Sequence, residues 1–314
     1  MTEYKSSYLT AATDLTLHTV LFGSTLYIQQ LSNPIFRILL IPLVSLFMMR
    51  SFIIYHDCCH GSYTPNKRLN YIIAHLTGAF TASSPNWFLD HNTHHKTSGN
   101  LHNEYNYAFN ETIMVTKAQY NKMNNKWLFR IYKHPLFFFS VIPIFYFFIA
   151  QRFLYILKKL RKPAKYEKSI TAIVMDHAIN NIMNLAIFYT MYRHGLFAHY
   201  MASFIMGASA AFMLFHNQHT FNPAYVVRDG WSQLDSGMHG SSFVQVPWPL
   251  SYFFMGIQYH HIHHVNAKIP GYNMEEYHKE DRFWNVHQIT GTEFFSNLWL
   301  TLYDEETKRY VALE

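Results

Sequence analysis

The stretch PIFRILLIPLVSLFMMRSFIIY, residues 34 to 55, runs without a break into His56-Asp57-Cys58-Cys59-His60. An apolar run of this kind meets the ~20 residues that an α-helix needs to cross a bilayer. The two histidines at its end are spaced i and i+4, which places both on one face of a helix terminus and suits two ligands to one centre.

Working outward, residues 11 to 29 precede this run across the polar turn QLSN, and the two read as a helical hairpin. A second pair, residues 171 to 192 and 196 to 215, is joined by the turn RHG. The expected fold is therefore an all-α integral membrane protein with two transmembrane helical hairpins, four spans in all. Composition agrees: the chain is 50% apolar, 18% aromatic and only 14% charged. Mean hydropathy is near zero because 21 histidines and many Asn and Tyr residues lower the average while leaving the long runs intact. The net charge of +6 comes from Lys and Arg gathered between the apolar runs. That is the pattern of cytoplasmic loops, and it argues against a nucleic-acid partner. Cys58 and Cys59 are adjacent and offer no disulfide framework. The first residues lack the pattern of a signal peptide, so insertion is expected through the internal helices.

Two further runs, residues 69 to 89 and 134 to 157, carry prolines or polar residues. The second is flanked by Lys117, Lys122, Lys126, Arg130 and Lys133 on one side and by Lys158, Lys159, Arg161, Lys162, Lys165 and Lys168 on the other. Both ends read as cytoplasmic, so this run, like the first, is expected to re-enter or to lie in the interface. Four crossings then keep every histidine cluster on the cytoplasmic face, in a cap formed by residues 56 to 170 and 216 to 314 of a single domain, 1 to 314. In the tail an amphipathic helix is expected around FFSNLWLTLY.

The second cluster, His91-Asn92-Thr93-His94-His95, and the third, His260-His261-Ile262-His263-His264, both fit H-x-x-H-H. On a helix, i and i+3 share a face while the adjacent histidine diverges by roughly 100°, so one box can serve two metals. Singly, each box is compatible with a polar membrane surface; three of them near the ends of apolar runs point to metal. Eight imidazole ligands exceed the three or four that a zinc takes, and a dinuclear centre fits the count. Imidazole itself does not choose among iron, zinc, copper and nickel. A carboxylate-bridged di-iron bundle is not expected, because only Glu275-x-x-His278, in the polar tail, has the required form. His261 breaks the box pattern and is expected to point away from the metals. His18, His75, His102, His134, His194, His199, His278 and His287 stay outside the site as lone histidines.

The segments HDCCHGSYTPN, DHNTHHKTSGNL, FHNQHTFNPAYVVRDGWSQLDSGMHGSSF, GIQYHHIHHVNAKIPGYN and LYDEETKRYVAL together resemble the membrane fatty acid desaturases with three histidine boxes, especially the bacterial acyl-lipid branch. The resemblance implies a cytoplasmic cap on transmembrane helices and a non-haem di-iron centre, two iron ions cycling between Fe2+ and Fe3+ with O2 as co-substrate. It assigns His56 and His60 to the first box, His91, His94 and His95 to the second, and His260, His263 and His264 to the third. A ninth ligand is implied after the second hairpin; His219 is expected, with His216 as its rival. Departures from the family pattern are His239 and the Asn-rich HNEYNYAFN. A fused cytochrome b5 segment is absent, which implies a separate electron donor, a ferredoxin or a cytochrome b5. The implied activity is O2-dependent insertion of a cis double bond into a fatty acyl chain, expected to be lipid-linked.

Asp57 and Asp90 abut box histidines and are candidates for orienting their N–H groups. His177, Asn180, Asn181 and Asn184 form one stripe in a membrane helix, expected to bond to neighbouring helices, with Asn184 also a candidate beneath the metals. A related hydroxylase or carotenoid ketolase would use the same metal grammar. A histidine-rich metal transporter would need its ligands at the membrane midplane, whereas these boxes fall at helix ends.

Overall fold

A computed structural model of the chain describes residues 4–101, 115–154, 156–157, 169–280 and 285–313. The HNEYNYAFN segment, the basic run over residues 158–168, His102 and part of HKEDRF lie outside the described residues. In chain order the helices are α1 (Tyr8–Leu31), α2 (Pro34–Leu39), α3 (Ile41–His60), α4 (Lys67–Phe80), α5 (Trp87–His95), α6 (Lys117–Asn121), α7 (Lys126–Lys133), α8 (Pro135–Ser140) and α9 (Ile142–Phe145). A π-helical stretch, Tyr146–Leu154, precedes α10 (Ile170–Arg193), α11 (Phe197–His219), α12 (Gln233–Gly240), α13 (Leu250–Phe254), α14 (His260–Val265), α15 (Gly271–His278) and α16 (Gly291–Asn297). Short strands are β1 (Val115–Thr116), β2 (Phe243–Val244), β3 (Gln288–Ile289), β4 (Leu300–Asp304) and β5 (Arg309–Ala312). The chain divides into two compact units, residues 1–89, 143–209 and 253–255, and residues 90–142, 210–252 and 256–314.

Four helical segments are long and apolar enough to cross a bilayer: Pro34–His60, Pro135–Leu154, Ile170–Arg193 and Phe197–His219. Three of them contain expected spans, and the chain is a multi-pass membrane protein. The fourth differs. Residues 134 to 157 were expected to re-enter or lie in the interface, yet they contain a segment that qualifies as a span. The helix over residues 11 to 29 forms as part of α1 but is not among the four. Its polar residues explain this. Asp14 pairs with Arg50 of α3 and accepts a 2.9 Å hydrogen bond from Tyr63, and His18 lies 2.9 Å from Ser51. The polarity that lowers the apolar character of α1 is therefore directed against α3.

The first hairpin turns at Asn33, whose side chain accepts from the Phe36 N–H, with Pro34 at the first position of α2. Arg37 locks the turn by donating to the carbonyls of Ser32 and Gln30 at 3.0 and 2.6 Å. The second hairpin turns at Gly195, whose φ of 67° favours glycine.

The run over residues 69 to 89 breaks between α4 and α5. Gly78 permits close approach, because a Cβ there would collide with Ser83 and the Tyr55 ring. The carbonyls exposed by the break are taken up by side chains of other helices. Asn184 donates to Ala79, Tyr200 to Phe80 at 2.7 Å, Arg152 to Ala82 at 3.2 Å, Asn180 to Ser83 at 2.7 Å and Tyr55 to Ser84 at 2.6 Å. Non-helical backbone at membrane depth is tolerated only when satisfied within protein, and these five bonds meet that condition. Asn180, Asn181 and Asn184 of the polar stripe all take part, since Arg152 also donates to Asn181 and Asn184.

In the second unit β1, β4 and β5 form a small sheet, with β1 parallel and β5 antiparallel to β4. The helix expected around FFSNLWLTLY ends at Asn297, and Leu300–Asp304 is a strand. Leu302 is buried with Val115 and Tyr120, and Tyr303 and Asp304 after it are buried as well. A turn follows, in which Asp304 accepts from the Glu306 N–H at 3.0 Å and Lys308 adopts a φ of 53°.

Candidate metal centre

The first box closes α3. Gly61, at a φ of 67°, caps the helix by donating to the Asp57 and Cys58 carbonyls, so His56 and His60 sit on the last turn. Their ring centroids are 4.7 Å apart and both are buried. Asp57 Oδ1 lies 3.3 Å from His56 Nδ1, a geometry in which the carboxylate accepts that N–H and leaves Nε2 to a ligand. These residues all belong to the first unit.

In the second unit seven of the buried imidazoles form two adjoining groups. In the first group, His94 Nε2 lies 3.0 Å from His219 Nε2 and 3.2 Å from His264 Nε2, and His219 Nε2 lies 2.9 Å from His260 Nε2. The four rings each offer a nitrogen, and these nitrogens all fall within 4.8 Å of one another. In the second group, His95 Nε2 is 3.0 Å from His91 Nε2, and the His95 and His263 centroids are 4.5 Å apart. The groups meet where His95 stacks on His264 at 4.3 Å.

Each H-x-x-H-H box is thus divided between the two groups, but by i and i+4 rather than i and i+3. His91 pairs with His95 and His260 joins His264, while His94 and His263 cross to the other group. At about 100° per residue, i+4 returns to within about 40° of i and i+3 to within about 60°.

The donor set fits a cation. His219 Nδ1 lies 3.2 Å from the Gly240 carbonyl oxygen, which accepts only an N–H. That bond leaves His219 Nε2 as a lone pair directed at two further Nε2 atoms, and converging lone pairs are reconciled by a positive centre. Burial and the neighbouring imidazoles His95, His219, His260 and His94 hold His264 well below the usual histidine range, so it stays neutral and able to ligate. The local backbone is built for this approach. Gly256, at a φ of 83°, admits the Gly271 carbonyl just before α14, and Gly237 of α12 lets Val265 approach within 2.7 Å of where its Cβ would stand.

The remaining expected residues fall outside the two groups. His216 Nε2 accepts no ring partner there; its nitrogen sits 2.9 Å from the Asn297 carbonyl and its ring packs edge-on against Phe139. His261 is fully buried and lies 3.1 Å from His278 Nδ1. Asp90 is half-buried one residue before His91. His239 is exposed. Sequence reasoning missed two features, the Gly240 carbonyl that fixes His219 and the partnership of His261 with His278. Only the glycines of SGMHGSS hinted at the first.

A family profile described as fatty acid desaturase matches residues 33–287. The chain belongs to the fatty acid desaturase family. A fatty acid desaturase of Bacillus subtilis (strain 168) is 31% identical over 271 residues, covering 85% of this chain and 74% of the relative. The sn-1 acyl-lipid omega-3 desaturase (ferredoxin) of Nostoc sp. (strain 36) is 36% identical over 73 residues, 23% of this chain and 19% of the relative. An endoplasmic-reticulum omega-3 fatty acid desaturase of Nicotiana tabacum matches at 31% over 85 residues, 27% of this chain and 21% of its own length. These latter two similarities are confined to short stretches, whereas that to the Bacillus protein spans most of both proteins. Membership makes this chain a desaturase enzyme and favours that activity over the hydroxylase, ketolase and transporter alternatives.

Proposed function

We propose that this desaturase introduces a cis double bond into the acyl chain of an intact lipid at a di-iron centre held by nine histidines. His94, His219, His260 and His264 would hold one iron, and the family resemblance assigns the remaining ligands, His56, His60, His91, His95 and His263. The overall change balances as R–CH2–CH2–R′ + O2 + 2 e− + 2 H+ → R–CH=CH–R′ + 2 H2O. An unactivated methylene offers no acid–base handle, so the bound irons supply the O2-dependent oxidising power. The chain's own residues supply the rest. Asp57 would orient His56, Asp90 would act similarly on its helix, and the Gly240 carbonyl would fix the His219 tautomer, while Asn184 supports the helix break. The two electrons would come from a separate donor, a ferredoxin or a cytochrome b5, and the Nostoc relative, a ferredoxin desaturase by name, supports the former. The metal centre would face the cytoplasm, in line with the Lys and Arg between the spans.

The convergence of four buried imidazole nitrogens, one of them held as a lone pair by Gly240, carries this reading. Expression in a host of known lipid profile, followed by mass spectrometry of the methyl esters and iron analysis of the purified protein, tests it. New unsaturated esters with about two irons per chain are expected. An unchanged profile with an active donor present, or zinc in place of iron, would sink it. Within the same assay, His219→Ala should abolish both iron binding at that site and product, while His216→Ala should retain iron.

A further inference from the structure

Helix α7 carries an apolar face directed outward. Trp127, Leu128 and Ile131 are 61, 48 and 51% exposed, and at about 100° per residue they occupy one arc of roughly 100°. The rest of the helix is anchored: on the opposite side Phe129 packs against Val115, Tyr120 and Leu302, and beside the arc Tyr132 packs edge-on against Phe138. The outward face continues past the helix. His134 packs edge-on against Trp299 at 5.6 Å, Trp299 is 54% exposed and Leu136 is 76% exposed.

Two observations say what covers this face. The first is continuity: α7 ends at Lys133, its cap is His134, and Pro135 begins a segment able to cross the bilayer. A helix of eight residues is about 12 Å long, so the whole face lies close to the level at which the chain enters lipid. The second is charge. Lys126 and Arg130 lie on one border of the face, Arg130 donating to the Tyr120 hydroxyl at 2.9 Å and Lys126 standing 5.6 Å above the same ring, with Lys122 exposed just before the helix. Exposed tryptophans beside an apolar arc bordered by cations are the composition of an in-plane interfacial helix, whose cations attract acidic headgroups.

We propose that the face formed by Trp127, Leu128, Ile131, Leu136 and Trp299 lies in the headgroup layer of a bilayer containing acidic lipid, and that Lys122, Lys126 and Arg130 bind its anionic headgroups. It is a lipid surface and not the docking site of the electron donor.

The test uses the full chain reconstituted in phosphatidylcholine vesicles, with or without phosphatidylglycerol, containing lipids brominated near the top of the acyl chain. Trp127→Phe and Trp299→Phe should each remove part of the bromolipid-quenchable emission, because both substitutions sit at exposed positions and preserve an aromatic ring. The triple variant Lys122→Gln, Lys126→Gln, Arg130→Gln should lose the extra quenching that phosphatidylglycerol brings to the wild type. If the emission lost on Trp127→Phe was quenched by aqueous iodide and untouched by bromolipid, the proposal is overturned. Shielding of Trp127 from iodide only when a soluble ferredoxin is added would equally overturn it, in favour of a protein-docking face. An unaltered phosphatidylglycerol effect in the triple variant would remove the headgroup-binding role.

Discussion

Gln30 Nε2 lies 3.0 Å from His194 Nδ1, so the turn of the first helical hairpin touches the turn of the second. Arg37, which locks the first turn, also approaches the place a Cβ would take at Gly195. Two turns in contact lie at one level of the first unit, and α3 and α10 each meet that level at an end. The tips of the two hairpins therefore lie side by side within the first unit.

A topology measurement follows from that contact. In a Cys58→Ser, Cys59→Ser background, single cysteines at Ser32 and at Gly230 should label oppositely with a membrane-impermeant maleimide. Ser32→Cys should react in intact cells, and Gly230→Cys only after permeabilisation. Equal labelling of both from outside would contradict a cytoplasmic histidine cap.

The break between α4 and α5 predicts a graded stability series. A single interhelical hydrogen bond in a membrane protein is worth about 0.6 kcal/mol on average, so Asn180→Ala, which frees only the Ser83 carbonyl, should cost about that much. Asn184→Leu removes both the donor to Ala79 and an acceptor for the Arg152 guanidinium. Freeing a buried carbonyl and removing one acceptor from a guanidinium that keeps Asn181 and Ala82 should cost about 1–3 kcal/mol. Thermal unfolding in detergent measures the order; Asn180→Ala costing as much as Asn184→Leu would show that Arg152 does not depend on Asn184.

Lys133 gives a pH dependence. Burial pushes its ammonium down to about 8 from an ordinary 10.5. Between these values the unfolded chain holds more protons, so stability rises with pH from about 8 to 10.5 and is lowest, and flat in this respect, below 8. The ring of Phe138, 4.5 Å from Nζ, offsets part of the desolvation by about 0.5–2 kcal/mol. Lys133→Met should therefore raise the unfolding temperature at pH 7 by a few degrees and flatten the rise between pH 8 and 10. A variant less stable than wild type at pH 7 would mean the cation–π contact outweighs burial.

The sequence made three of the spans and the boxes legible because each has a short-range signature, a long apolar run or an imidazole spacing near a helix end, whereas the prolines and flanking cations of residues 134 to 157 disguised a fourth. It was ambiguous where a contact depends on distant chain. The stripe of Asn180, Asn181 and Asn184 was visible as a stripe, but its partners are carbonyls about one hundred residues earlier and an arginine about thirty earlier. The division of each box by i+4 was hidden because both spacings return close to the same face, and the choice rests on rings from other helices. Leu300–Asp304 was masked by the apolar FFSNLW before it, since five residues are too few to outweigh a longer run. Asp14 and His18 hid the opposite way, lowering the apolar character of α1 through contacts that only the packing of α3 against it reveals.

The pair His261 and His278 separates ligand from neighbour inside one box. His261 lies between His260 and His263, yet its Nε2 faces His278 Nδ1 at 3.1 Å, and His278 packs on Phe243 and Tyr259 at 4.9 and 4.8 Å. Metal analysis after His261→Gln should find near wild-type iron, because glutamine retains a polar partner for His278 and removes no nitrogen from either imidazole group. His264→Gln takes a nitrogen from a group of four, and iron bound per chain should fall by about half or more. His278→Phe provides the control for packing: it deletes the hydrogen bond but keeps an aromatic ring against Phe243 and Tyr259, so it should lower thermal stability by about 1 kcal/mol while leaving iron in place. Loss of iron in His261→Gln equal to that in His264→Gln would make His261 a ligand, and the four-of-five cluster would then have to be reassigned.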